Sequence, residues 1–341
     1  MKKGMAIVGI FILLITIGTV VYAKGTAEAE ISTKVFRLSW PPAYDESHGH
    51  TKAALAMNKV LEEETDGSVK FEFYAGGQLG TEKDVFEAIQ MGTIDAAIMS
   101  GSIAAGFTDA LVGFDLPYIF DNNLDLFYEV VTSDVAEQLF QKLNTEAHVK
   151  GIAYLVQPGR DFYFRKPVAG IDNFKGTKLR SMQSEIHLKT YEALGLSPTP
   201  LAYNEIYTAM QTGTIDGFED VSVSVQANKT YETATHLLIS GHFNAAPIVI
   251  ISNKAWNSLT ESEQDALMKA GEEAQLVTLQ HYKEQMPKTI AYMKEHGLIV
   301  NTIDIPRAKK LVQPVIDSYA AKMPSVQMVV DQVNAIKATR K

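Results

Sequence analysis

Phe86-Glu87-Ala88-Ile89-Gln90-Met91-Gly92-Thr93-Ile94-Asp95-Ala96 recurs as Tyr207-Thr208-Ala209-Met210-Gln211-Thr212-Gly213-Thr214-Ile215-Asp216-Gly217, 121 residues later and without a gap. Both copies read as a helix running up to a glycine, which suits a left-handed helix stop. A short strand then follows. Thr81 and Asp84 stand as a Ser/Thr-x-x-acid cap before the first of these helices. Two copies of one helix–strand unit, about a domain apart, predict two similar α/β domains facing each other. Ligands of such sheets bind beyond the carboxyl ends of the strands. The repeat therefore directs attention to Met99 and Ser100 in one half and to Glu219 and Asp220 in the other. For the glycines and aspartates inside the repeat, packing is sufficient reason.

The surrounding sequence agrees with α/β. Val35 to Leu38 reads as an opening strand, Ala53 to Glu64 as a helix, and Val69 to Tyr74 alternates like a strand. From Leu124 to Asn144, the apolar positions Phe127, Val131, Val135, Leu139 and Leu143 form a helical stripe. Lys150 to Val156 reads as a further strand. Thr260-Glu261-Ser262-Glu263 is a capping box that opens a long helix reaching about His296, where Gly297 stops it. Strands crossing between the domains are expected to join them.

Composition narrows the function. The chain of 341 residues carries 31 basic and 40 acidic side chains, a net charge of −9; setting aside Lys2 and Lys3 leaves 29 against 40, or −11. Nucleic acid and anionic membrane surfaces need basic patches and are disfavoured as partners. Any anionic ligand must be held by local cations against the overall field. Lys2 and Lys3, the apolar run from Met5 to about Tyr22, and Val21-Tyr22-Ala23 have the layout of a signal peptide over residues 1–23. The alternative is a retained anchor near the lower length limit for a membrane span. No cysteine is present, so no disulfide framework and no lipid-accepting thiol are expected. Export to the periplasm as a soluble monomer fits these features. No spacing of His, Asp and Glu suggests a metal site, and no cofactor is expected.

Two arginines are the candidate anion binders. Arg160 follows Gly159, and Arg180 ends Phe174-Lys175-Gly176-Thr177-Lys178-Leu179-Arg180. A guanidinium grips a carboxylate through two parallel hydrogen bonds and keeps its charge. A surface ion pair is the plainer alternative for either residue.

At this point the chain resembles a known family from Val35 to near its C-terminus. The motifs are Gly76-Gly77-Gln78-Leu79-Gly80, Leu116-Pro117-Tyr118, Gly159-Arg160 with Lys166-Pro167, and Lys175 to Arg180. They continue with Ala193-Leu194-Gly195, Pro198-Thr199-Pro200, Glu205 to Gly213, and Asp216-Gly217-Phe218-Glu219. Each is weak alone, but in this order they are specific. They resemble the DctP-type solute-binding subunits of tripartite ATP-independent periplasmic (TRAP) transporters.

The resemblance implies a two-lobed periplasmic binding protein fold, type II-like, with a long helix spanning both lobes. We expect lobe I over residues 31–157 plus 246–285 and lobe II over 158–245 plus 286–339. It implies membrane subunits of a TRAP transporter as partners, and a small organic acid as ligand. Arg180 matches the family's main carboxylate anchor, Arg160 a second contact, and Tyr203 an aromatic residue beside the ligand. Where the family usually has Asn, this chain has Asp220. An ionised Asp only accepts hydrogen bonds. Asp220 would repel a second carboxylate and accept from hydroxyls or an amine, or else pair with Arg160. A sugar acid such as a uronate is therefore expected over a C4-dicarboxylate or a 2-oxo acid.

Further candidates are Ser39 and Trp40 after the opening strand, Trp40 either stacking on a sugar ring or covering a hinge. His48 stands at the first helix as a ligand contact, a cap or a surface residue. Glu82 aligns with Tyr203 through the repeat and is suited to hydroxyls, or simply to the helix start. Gln183, Ser100 and Asn244 complete the set. His242 matches a recurrent family histidine for which a structural role serves equally well. An enzyme of sugar acids using Glu219, Asp220 and His242 is the competing class, but no nucleophile motif supports it. A sensor that reports the ligand to a membrane receptor is a third.

Overall fold

The computed structural model describes residues 33–340. The expected signal peptide lies outside them. Eleven strands are described: β1 (Lys34–Ser39), β2 (Val69–Tyr74), β3 (Ala96–Met99), β4 (Val149–Tyr154), β5 (Asp161–Phe164), β6 (Lys178–Ser181), β7 (Ser197–Pro200), β8 (Gly217–Asp220), β9 (His236–Ile239), β10 (Ile248–Ser252) and β11 (Ile299–Thr302). They form two sheets. The first has the order β2-β1-β3-β10-β4, the second β11-β9-β5-β8-β6-β7. In the first sheet β10 runs antiparallel to both β3 and β4. In the second, β5 runs antiparallel to β8 and β9. Each of these reversed strands enters its sheet from a segment that has crossed over from the other one.

The crossings are paired backbones. Leu155 N donates to Pro247 O at 2.6 Å, Arg160 N to Phe243 O at 2.7 Å, and His242 N to Arg160 O at 3.2 Å. Arg160 thus lies in the crossing just before β5, not at the end of β4. The backbone groups of these connecting segments are satisfied by one another, which lets them run through buried surroundings.

Strand β10 shows why the sheets hold. Its sequence Ile248-Val249-Ile250-Ile251 is apolar on both faces, as a central strand covered on both sides must be. Ile248 and Ile250 pack among Phe114, Tyr154 and Leu139, while Val249 and Ile251 face Leu38, Met57 and Ala270.

The helix Glu261–Glu295 begins at the expected capping box, with Thr260 accepting from Glu263 N. Glu263 also takes a hydrogen bond from Lys34 Nζ at 2.5 Å, pinning the helix start to β1. Ala266, Ala270 and Ala274 recur every four residues and pack on the first sheet beside Ile152 and Ala153. Farther along, Met293 joins the core of the second sheet with Ile215 and Leu237. One helix therefore touches both lobes, as expected. The helix Gly49–Glu64 lies along its first half.

Two expectations are corrected. The stripe from Leu124 to Asn144 is two helices, Leu124–Val131 and Asp134–Ala147. At the break, Thr132 Oγ1 donates to Tyr128 O and Ser133 Oγ to Val130 O. These hydroxyls compete for the helical carbonyls, so the periodicity survives while the helix does not. The last helix, Pro324–Thr339, puts Val329 and Val333 into the core of the first sheet, not the second. Residues 324–339 thus pack against elements of lobe I.

Candidate functional site

The repeat folds as its pattern predicts. Thr81 and Asp84 form the capping box of the helix Glu82–Gln90. Gly92 and Gly213 end their helices at φ +68° and +75°, where a Cβ is disfavoured. The strands that follow are β3 and β8, and their ends face each other across a cleft. Ser100 after β3 and Asp220 at the end of β8 line one small cavity of about 30 Å³. The aligned pair Glu82 and Tyr203 line it too, together with Arg160 and His50. Arg180 lines the adjoining recess, which shares Glu82 and Tyr203 and has Gln183 at its exposed rim.

Strand order explains the charge cluster. Because β8 sits between β5 and β6, Glu219 and Asp220 are flanked by Arg160 on one side and Arg180 on the other. All four are buried, with Arg180 only 2% exposed. Arg160 Nε donates to Glu219 Oε2, and its Nη2 donates to the Glu219 carbonyl at 2.9 Å. Its Nη1 lies 3.1 Å from Asp220 Oδ1. Arg160 is thereby occupied by protein carboxylates, which realises the pairing alternative for Asp220 raised by the sequence.

Arg180 is held differently. Its Nε donates to Leu201 O at 3.0 Å and its Nη1 to Glu219 Oε1 at 3.4 Å. Among the described residues Nη2 makes no hydrogen bond to protein. Burial lowers the pKa of Arg180, with the charge of Glu219 opposing that shift. Burial also works against the charge of Arg160, but Glu219 and Asp220 outweigh it and raise that pKa. Glu219 is thus the shared counter-charge that keeps both guanidiniums in place.

The acids of the cleft are poorly solvated. Burial raises the pKa of Asp220, against the pull of Arg160. Asp220 accepts from Val221 N at 2.7 Å and from Tyr203 Oη at 3.0 Å. Burial also raises Glu82, partly offset by the 2.6 Å hydrogen bond from Ser100 N and by the two arginines. Tyr203 accepts from Asn228 Nδ2 at 2.9 Å, and Asn228 Oδ1 accepts from Ala43 N at 3.1 Å. That chain links the charge cluster in one lobe to the backbone of the other.

The remaining candidates fall outside the cluster. Trp40 is 1% exposed and packs edge-on to Phe73 at 5.5 Å, inside the core of the first lobe. The stacking alternative for Trp40 is therefore corrected: the strand end turns its ring inward. Ser39 lines a small recess with Trp40 that meets the cleft at Glu82. Asn244 braces the crossing, its Nδ2 donating to Gln157 O at 2.7 Å. His48 caps the first helix through Nδ1 and pairs its Nε2 with Ser224 Oγ at 2.8 Å. His242 stacks on Phe162 with centroids 4.2 Å apart and bonds Tyr191 and Ser240, a structural role. His50, Gln157 and Ser224 line the cavity but were not singled out by sequence. The helix starts at Gly49, earlier than its periodicity suggests, and this places His50 in the first turn.

Among the described residues no group of three or more His, Asp or Glu side chains has the arrangement of a metal site. None of their helices is long and apolar enough to cross a membrane.

Two crossed-over α/β sheets, spanned by one long helix and enclosing a buried arginine cleft, define a two-lobed binding-protein architecture. Residues 43–323 match the profile of the bacterial extracellular solute-binding proteins, family 7, and the chain belongs to that family. It is 33% identical to a solute-binding protein of Sulfitobacter sp. strain NAS-14.1, over 82% of this chain and 86% of that one. It is 29% identical to the C4-dicarboxylate-binding periplasmic protein DctP of Rhodobacter capsulatus, over 72% and 74% of the two chains. Among solved structures, a TRAP periplasmic solute-binding protein of Citrobacter koseri with bound D-glucuronate superposes with a TM-score of 0.82. It is 25% identical, with 89% of this chain and 99% of that one covered. One from Xanthobacter autotrophicus Py2 with bound β-D-galacturonate gives a TM-score of 0.83 at 24% identity, covering 88% and 99%. The resemblance read from the sequence motifs is borne out: this is a TRAP-type solute-binding protein.

Proposed function

We propose that the protein captures a sugar acid, a uronate being the best match, outside the cytoplasmic membrane and delivers it to TRAP membrane subunits. The observation that carries this reading is Arg180, whose buried guanidinium keeps Nη2 without a hydrogen-bond partner among the described residues, at the edge of a polar cleft. A buried guanidinium binds a carboxylate strongly because little water competes for the charge. Arg160 does not offer an equal second site, since Glu219 and Asp220 already engage its three nitrogens. One carboxylate at Arg180, with hydroxyls toward Glu82, Tyr203 and Asp220, satisfies the donors and acceptors present. The uronate complexes of the Citrobacter and Xanthobacter proteins support the same choice. Membership of an extracellular solute-binding family supports a place outside the cytoplasmic membrane. The lobe limits, as amended for residues 324–339, belong to this proposal.

The function reads as capture without chemistry. Unchanged ligand should be recovered from the complex.

A thermal-shift panel of uronates, aldonates, dicarboxylates and 2-oxo acids tests the ligand class, because a tight ligand raises the melting temperature by mass action. D-galacturonate or D-glucuronate should give the largest rise. A rise with succinate alone would replace the sugar-acid reading with a dicarboxylate one.

A further inference from the structure

Outside the arginine cluster, the cleft holds a buried imidazole whose ring nitrogens have no hydrogen-bond partner among the described residues. His50 is 7% exposed, and neither Nδ1 nor Nε2 hydrogen-bonds any described residue. Its ring lines the same cavity as Glu82, Tyr203 and Asp220. A buried imidazole without partners is costly and rare, and such an exception calls for an explanation.

The neighbourhood shows that this is not a loosely packed surface histidine. His50 is the second residue of the helix Gly49–Glu64, and its ring meets that of His48 edge to face at 4.7 Å. His48 Nδ1 accepts from His50 N at 3.1 Å, so the His48 proton sits on Nε2 and is donated to Ser224 Oγ at 2.8 Å. The Ser224 hydroxyl proton is then directed elsewhere, and Ser224 also lines the cavity. The ionisable groups that face His50 are His48 at the cap of its own helix, Glu82 from the next helix, and Arg160, Tyr203 and Asp220 from the opposite lobe. Gln157, from the crossing segment, stands beside them as a neutral polar group. Burial keeps the His50 pKa down to about 4. The ring is neutral at neutral pH, with one N–H donor and one lone-pair acceptor.

We propose that His50 is a specificity-determining residue that reads a hydroxyl of the bound solute at the end remote from Arg180. This rests on the sugar-acid reading above. A hydroxyl donates and accepts, so it matches a neutral imidazole. A second carboxylate only accepts, and the lone pair of the ring would oppose it. Asp220 and Glu82 on the cavity wall oppose it further. His50 therefore selects a polyhydroxy monocarboxylate over a dicarboxylate of similar length.

Titration calorimetry of the wild type, His50→Leu and His50→Gln with D-galacturonate, D-glucuronate and succinate tests the proposal. Leucine fills much of the space without polar atoms, whereas glutamine restores a donor and an acceptor. His50→Leu should weaken the uronates at least about tenfold, leave any succinate affinity unchanged or stronger, and be largely rescued by His50→Gln. A wild type that binds uronates, with His50→Leu within twofold of it, overturns the role of His50 and leaves the sugar-acid reading intact. A wild type that binds succinate and no uronate overturns both. Should His50→Leu not fold, imidazole ¹⁵N spectra of the wild type decide. The His50 ring nitrogens should shift on adding D-galacturonate, and unmoved resonances would overturn the proposal.

Discussion

Arg160 and Arg180 were alike in the sequence, each close to a glycine and each a possible anion clamp. Their positions in the sheet separate them. Arg160 faces two carboxylates, Glu219 and Asp220, while Arg180 shares only Glu219. The place of Arg180 near the end of β6, beside the cleft, was legible because the predicted strand and the family motif coincide there. Glu219 as counter-ion to both was not, because strand order rather than spacing makes β8 the neighbour of β5 and β6. The cluster now sets two guanidiniums against Glu82, Glu219 and Asp220, and an incoming carboxylate adds another negative charge. Burial already raises the pKa values of Glu82 and Asp220, and the ligand's charge raises them further. Binding should therefore take up protons, and affinity should fall as pH rises through the raised pKa values of Glu82 and Asp220. Calorimetry in phosphate and Tris buffers, whose ionisation enthalpies differ, reads this directly. Equal binding enthalpies in the two buffers would exclude linked protonation.

At the scale of elements, the repeat carried most of the readable information. Its glycines, cap and strand ends all fall where the pattern put them, because left-handed stops and capping boxes are local. The single stripe over 124–144 misled because two consecutive helices can continue one apolar phase through a short break. The packing of the first helix on the long helix was not legible at all. It depends on Gly49: a Cβ there would lie 2.3 Å from Tyr282 Oη. Tyr282 in turn packs on Val221 and Val223, just beyond Asp220. Gly49→Ala should lower stability by about 1–3 kcal/mol through overpacking, measured by urea unfolding. It should also weaken ligand binding, since His48 and His50 flank the displaced residue. Wild-type stability in that variant would contradict the close approach.

For the whole molecule, the two-lobed plan followed from the duplicated unit and the capped long helix. The crossing that returns β10 to lobe I was expected from the resemblance; the return of the last helix to lobe I was not. Both are long-range pairings with no local signal, settled by apolar faces such as Val329 and Val333 finding the first sheet. The lobes meet through His48–Ser224 and Ala43–Asn228 around the cleft, beside the charge cluster. On the proposed function, closure there would exclude water from Arg180 and strengthen its hold on a carboxylate. The central claim is that this grip supplies most of the affinity. Titration of wild type and Arg180→Ala with D-galacturonate, alongside circular dichroism to establish folding, tests it most directly. A folded Arg180→Ala protein whose affinity has dropped by about a hundredfold or more is the expected result. Binding within a few-fold of wild type by the same folded variant would contradict the account.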